Sequence, residues 1–103
     1  MTRYHDAFPA HELEHNSSKA LLIDGKNILI CNAGGEYYAV DNMCTHQRAE
    51  LEGGRIRNCF ISCPLHGVRF NLETGKPMGQ LTNVPLNTYP LQVSDAGMLQ
   101  VAV

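Results

Sequence analysis

The sequence predicts an all-β fold, a sandwich or barrel of short strands. Three observations lead there. The β-prone apolar runs are short and are broken by Gly, Asn and Asp. Hairpin signals recur at Asp24-Gly25, at Asn32 to Gly35 and at Ser94 to Gly97. No helical period is sustained, residues 9–15 being the one stretch that suggests a turn of helix.

Taken in order, residues 20–23 and 27–31 flank Asp24-Gly25-Lys26, and two apolar runs about one Asp-Gly predict a hairpin. Asn32-Ala33-Gly34-Gly35 is a second turn, leading into a strand over residues 36–40. These three strands form a meander. Residues 60–62 and 68–70 are short candidates, and residues 89–93 and 98–101 close the chain around Ser94 to Gly97. Pro90 predicts a sheet edge for its run, because proline cannot donate to the ladder.

With 103 residues the chain is expected to form one domain, residues 1–103. Apolar residues make up 44%, which suits a folded globular protein. Eight Lys and Arg against ten Asp and Glu leave a net charge of −2, which predicts neither nucleic acid nor an anionic membrane as partner. No apolar run approaches the roughly 20 residues needed to span a bilayer. Residues 1–6 lack the apolar core of a secretion signal. A cytoplasmic location is therefore expected, where thiols stay reduced. Four cysteines in that compartment suggest a metal before disulfides.

The chemistry gathers in two boxes. Cys44-Thr45-His46 and, after sixteen intervening residues, Cys63-Pro64-Leu65-His66 each offer one sulfur and one imidazole. Both boxes follow candidate strands, so the donors lie on two loops that can converge at one end of a sheet. Two thiolates and two neutral imidazoles suit a [2Fe–2S] cluster with His replacing Cys on one iron. The same four donors could hold one tetrahedral Zn²⁺, although zinc fingers usually pair like donors, Cys with Cys and His with His. Charge separates the cluster types. Two Fe³⁺, two sulfides and two thiolates are neutral, whereas four thiolates leave a dianion. Adding an electron is then easier, and potentials run roughly from −150 to +300 mV against about −400 mV.

Cys44-Thr45-His46-Gln47 and Cys63-Pro64-Leu65-His66-Gly67 resemble the two cluster boxes of Rieske proteins. Phe70, Thr74-Gly75 and Tyr89-Pro90-Leu91 also sit where soluble Rieske ferredoxins carry similar residues. The resemblance covers nearly the whole chain, and its specificity lies mostly in residues 44–75. It implies a Rieske-like antiparallel β-sandwich or barrel, with a small cluster-binding subdomain formed by two loops at roughly residues 42–84. The basal β part is the remainder. It implies one [2Fe–2S] cluster, with Cys44 and Cys63 on one iron and His46 and His66 on the other.

The departures carry information too. Rieske proteins of respiratory and photosynthetic complexes have an extra cysteine in each box, joined as a disulfide. Here those positions are Ala49 and Leu65. They also carry Ser and Tyr where this chain has Val68 and Phe70. Hydrogen bonds to sulfur raise the potential, so without those hydroxyls a low-potential cluster is expected. That profile resembles the ferredoxin component of bacterial aromatic ring-hydroxylating dioxygenase systems. The resemblance implies a one-electron carrier, not an enzyme. Its partners would be an NAD(P)H-dependent flavoprotein ferredoxin reductase and a terminal Rieske non-haem iron oxygenase. The alternatives are a redox subunit of another oxygenase or of a nitrite reductase-like system, or a structural zinc module. The chain shows no nucleotide-binding fingerprint and no 2-His-1-carboxylate domain.

Other signals have plainer readings. His11-Glu12-Leu13-Glu14-His15 matches the H-E-x-x-H pattern of zinc proteases. That chemistry needs both His on one face of a stable helix, and Pro9 and Asn16 leave room for barely two turns. Cys31, alternating with Leu29, is expected to be a buried apolar thiol, and Cys59 a structural one. Asn16-Ser17-Ser18 matches a glycosylation acceptor that, without a secretion signal, carries no weight. Gly53-Gly54 is expected to turn between the boxes, and Pro64 and Gly67 to shape the second. Arg48, Arg55, Arg57 and Arg69 stand near the boxes with Glu50 and Glu52 among them. They predict a solvated, mixed-charge surface rather than a docking site.

Overall fold

The structure is a computed structural model that describes residues 3–45, 49–65, 67–79 and 81–103. The strands are β1 (Tyr4–Pro9), β2 (Ser17–Ile23), β3 (Lys26–Ala33), β4 (Glu36–Asp41), β5 (Ile56–Arg57), β6 (Phe60–Ser62), β7 (Arg69–Asn71), β8 (Pro77–Met78), β9 (Thr88–Tyr89), β10 (Leu91–Val93) and β11 (Met98–Ala102). They form three antiparallel sheets, ordered β1-β11-β10, β2-β3-β4-β9 and β5-β6-β7-β8. The all-β, antiparallel expectation holds.

The meander is the middle layer. Ile23 pairs with Lys26 across a two-residue turn. Asp24 and Gly25, at φ of 52° and 79°, supply the positive φ that such a turn requires. β3 runs almost entirely buried because both of its faces are covered. Ile28 and Ile30 enter one core with Phe8, Leu99 and Val101 from β1 and β11. Leu29 and Cys31 enter a second core with Ile56, Ile61 and Phe70 from β5, β6 and β7. Period-2 alternation thus splits one strand between two cores, and the second core positions the two boxes.

Several elements lie outside what the patterns predict. β1 was not foreseen. It pairs with β11, Tyr4 opposite Ala102, at the far end of the chain, and no local pattern encodes such a partner. β5 and β8 are two-residue strands, too short to show alternation. The run over residues 89–93 is two strands rather than one. Pro90 divides it, so that β9 pairs with β4 and β10 with β11. Both are edge strands, as the proline predicts. The Pro90 carbonyl still accepts from the Ala102 amide at 2.9 Å. Between β1 and β2 lies a single 3-10 turn, Ala10–Glu12. His11, Glu12 and His15 face solvent, and Leu13 is buried. One such turn cannot carry the metalloprotease geometry that the motif requires.

β9 is tied to β4 through side chains as well. Asp41 accepts from the Tyr89 hydroxyl and, at 2.7 Å, from Asn87 Nδ2. Burial, then the hydrogen bond to Asp41 and its charge, push the Tyr89 hydroxyl up from 10.0 to about 12. A pKa raised in the folded state means that this stabilisation is complete below the ordinary tyrosine value. It is then lost as pH rises through about 12. Denaturant unfolding followed between pH 9 and 12 should show an alkaline loss of stability that is smaller in Tyr89→Phe than in the wild type. An identical pH profile in the variant would exclude this assignment.

Candidate metal centre

β4 ends at Asp41 and delivers the first box through Asn42 and Met43. Asn42 is fully buried, and its amide is fully used. Oδ1 accepts from the Leu51 amide at 3.0 Å and the Glu52 amide at 2.9 Å. Nδ2 donates to Glu50 Oε2 at 3.0 Å and to Asn27 Oδ1 at 3.2 Å. Asn27 Nδ2 donates to the same Glu50 oxygen at 3.0 Å. One side chain at the loop's entrance therefore grips the loop's exit, and the exit is anchored to β3.

The two boxes close in the same way. The Cys44 amide donates to the Ala49 carbonyl at 2.8 Å, and the Cys63 amide to the Val68 carbonyl at 2.7 Å. Each cysteine thus heads a short loop that returns to it five residues later. In the second, the Gly67 amide also donates to the Cys63 carbonyl at 3.0 Å, and Gly67 has a φ of 71°, the positive value expected of it. Gly54 brings the segment between the boxes against β6. A Cβ there would fall 2.2 Å from the Ser62 carbonyl oxygen, beside Cys63. A third segment also touches the first box, since Thr45 Oγ1 donates to the Val84 carbonyl at 2.6 Å.

Cys44 and Cys63 lie in one core with Leu51, Ile61, Val68, Phe70 and Leu72, each cysteine 2% exposed. Met43, Leu65, Leu81 and Val84, on these same three segments, are exposed apolar side chains. His46 and His66, the imidazoles expected to complete the set, lie outside the described residues, as does Arg48. The structure therefore brings both expected sulfur donors into a single core, on loops of matching closure.

The remaining cysteines are accounted for. Cys31 is wholly buried on β3, and burial pushes its thiol up to about 12. That is the inert apolar thiol expected. Cys59 is half-buried in the β5–β6 turn against the same core, its Sγ 3.9 Å from Asn71 Oδ1. Sequence reasoning missed Asn42. An asparagine after a strand reads as a turn residue, and nothing local shows that its four partners surround it.

A model of the Rieske [2Fe-2S] domain matches residues 3–90. The chain is 32% identical over 88 residues to the ferredoxin component of a naphthalene 1,2-dioxygenase system from Pseudomonas aeruginosa, covering 85% of each. It is 38% identical over 77 residues to the 3-phenylpropionate/cinnamic acid dioxygenase ferredoxin subunit of Escherichia coli (strain K12), covering 73% of each. Among solved structures, a complex of reduced oxygenase and oxidized ferredoxin in carbazole 1,9a-dioxygenase matches with a TM-score of 0.88 and 28% identity. That match covers 96% of this chain and 92% of that one.

Removing the Asn42 amide strands the buried Leu51 amide. Asn42→Ala should cost about 1–3 kcal/mol, with faster loss of bound iron, whereas a distant exposed substitution such as Leu22→Ala should do neither. Iron release to a chelator and denaturant unfolding check this. Retention as slow as in the wild type would remove Asn42 from this role.

Proposed function

The chain belongs to the Rieske [2Fe–2S] domain family, and from that premise we propose that it is a one-electron carrier serving an aromatic ring-hydroxylating dioxygenase system. Electrons come from an NAD(P)H-dependent flavoprotein ferredoxin reductase and leave to a terminal Rieske non-haem iron oxygenase. The protein performs no catalytic step of its own. The observation that carries this reading is the pair of buried cysteines heading equivalent loops in one core. It is supported by relatives named as ferredoxin components and by the ferredoxin–oxygenase complex. The working location is the cytoplasm, where such a reductase finds NAD(P)H and thiols stay reduced. Among the described residues no helix is long and apolar enough to cross a membrane.

Cys44 and Cys63 would hold one iron of the cluster, and His46 and His66 the other. The donor set fits the cluster: soft sulfur on one side, imidazole on the other, one of each from each box. When bound, the cluster supplies reversible one-electron redox chemistry. The chain does the rest. Leu51, Ile61, Val68 and Phe70 exclude water from the cysteines. Val68 and Phe70 are buried and bring no hydroxyl to the site, which keeps the potential low. Asn42 and the two amide closures hold the loops. The cluster-binding part spans roughly residues 42–84 within a single domain over residues 1–103. That division is supported by the β5–β8 sheet lying between Ile56 and Met78.

Purified protein should contain iron and acid-labile sulfide, be red-brown when oxidised, and give an EPR signal only after taking up one electron. With a reductase and a terminal oxygenase of this class it should support NAD(P)H-dependent hydroxylation. Zinc without iron in freshly prepared protein would overturn the reading. Within the loaded protein, Val68→Ser should raise the midpoint potential by offering a hydroxyl to the site. His66→Cys, where a cluster still assembles, should lower it by adding thiolate charge. Voltammetry that returned either shift with the opposite sign would contradict the charge argument.

A further inference from the structure

The outer face of the β5–β8 sheet carries charge that the functional reading leaves unused. Ile56, Ile61 and Phe70 turn into the core, so their strand neighbours turn outward. Arg55, Arg57, Asn58, Phe60, Ser62 and Arg69 line a groove of about 360 Å³ on that face. The Arg69 guanidinium stands over the Phe60 ring, 5.8 Å from its centroid. Among the described residues no carboxylate lines the groove, and the one ion pair, Lys19–Glu12, lies elsewhere.

Within the groove the charged side chains are all arginines, while the exposed Glu50 and Glu52 of the expected mixed-charge surface are engaged elsewhere. Glu50 is held by Asn27 and Asn42. Glu52 Oε2 accepts from the Ala20 amide at 2.8 Å, on the β2 side. The fold draws both glutamates toward the central sheet and leaves the three arginines together. Guanidiniums gathered in a groove whose described lining holds no carboxylate, on a chain whose net charge is −2, call for an anionic partner.

We propose that the groove formed by Arg55, Arg57, Arg69 and Phe60 is a docking site for a carboxylate-rich surface segment of a redox partner protein. The inference rests on the chain being an electron carrier and adds where a partner sits. The arginines are exposed, with Arg55 just before β5, Arg57 on β5 and Arg69 on β7, which matches a protein surface rather than an enclosed pocket for a small anion. Guanidiniums grip carboxylates bidentately, while an aromatic floor adds contact area. The groove also reaches the metal-binding loop. Ser62 lines it and precedes Cys63, and Arg69, paired with Ser62, follows Val68, whose carbonyl closes that loop. A segment docked there meets Ser62, the residue before Cys63.

The sign of the salt dependence tests this. Holoprotein reduced by one electron is mixed in stopped flow with cytochrome b5, an acidic haem protein, and separately with basic cytochrome c. Net charge alone makes oxidation by the acidic acceptor faster as salt rises. Docking in the groove makes it slower, by about tenfold between roughly 10 and 300 mM salt. The combined Arg55→Gln, Arg57→Gln and Arg69→Gln variant should abolish or reverse that slope while keeping its EPR spectrum. A wild-type rate rising with salt, or a variant with the wild-type slope, overturns the proposal. So does suppression by inorganic phosphate at constant ionic strength, which would make the groove a small-anion site. Calorimetric binding of cytochrome b5 should weaken with salt in the same way and needs no electron transfer. A protein without the iron–sulfur EPR signal thus fails the functional reading, while the groove is still judged by binding.

Discussion

Two cysteines held out of water, the proposed sulfur ligands, impose the central constraint on this chain. To bind a metal, Cys44 and Cys63 must be thiolates, and thiolate charge in an apolar core is sustained only against a cation. Both are nearly as buried as Cys31, whose burial makes it an inert thiol. What separates them is loop geometry. Each of the pair sits where a strand gives way to a loop, with its amide closed onto a later carbonyl. Cys31 sits mid-strand with its neighbours paired on both sides.

The loops must hold that arrangement without the disulfide found in the respiratory members of the family. Ala49 stands at one of the disulfide positions, and its carbonyl accepts the Cys44 amide. The Asn42 network closes the same loop from outside, joining entrance, exit and β3 through one buried amide. A neutral side chain suits the task. It donates and accepts at once, and it adds no charge beside a site whose potential depends on charge.

Much of the fold was readable where its cause is local. The Asp24-Gly25 turn, the meander, the edge position at Pro90 and the closing hairpin all follow from nearest neighbours in sequence. β1 and the sheet change at Pro90 were not readable, because their partners lie far along the chain. The same division runs through the site. Spacing marked the two boxes, but the four partners of Asn42 and the separation of Arg55, Arg57 and Arg69 from Glu50 and Glu52 have no signature in spacing. Glu50 and Glu52 bond to the central sheet and to Asn42 at its exit, while Arg55 and Arg57, a few residues on, line the groove.

By itself, the sequence determined the donor types, their grouping into two boxes and the strand-and-turn rhythm that carries them. These are properties of single residues and of short-range backbone preference. The tertiary structure alone decided that two boxes sixteen residues apart share one core. It also decided that Asn42 clamps the first of them, and that positive charge collects on the outer face of the small sheet. Burial, convergence and charge segregation are relations between distant segments, and they exist only once those segments pack.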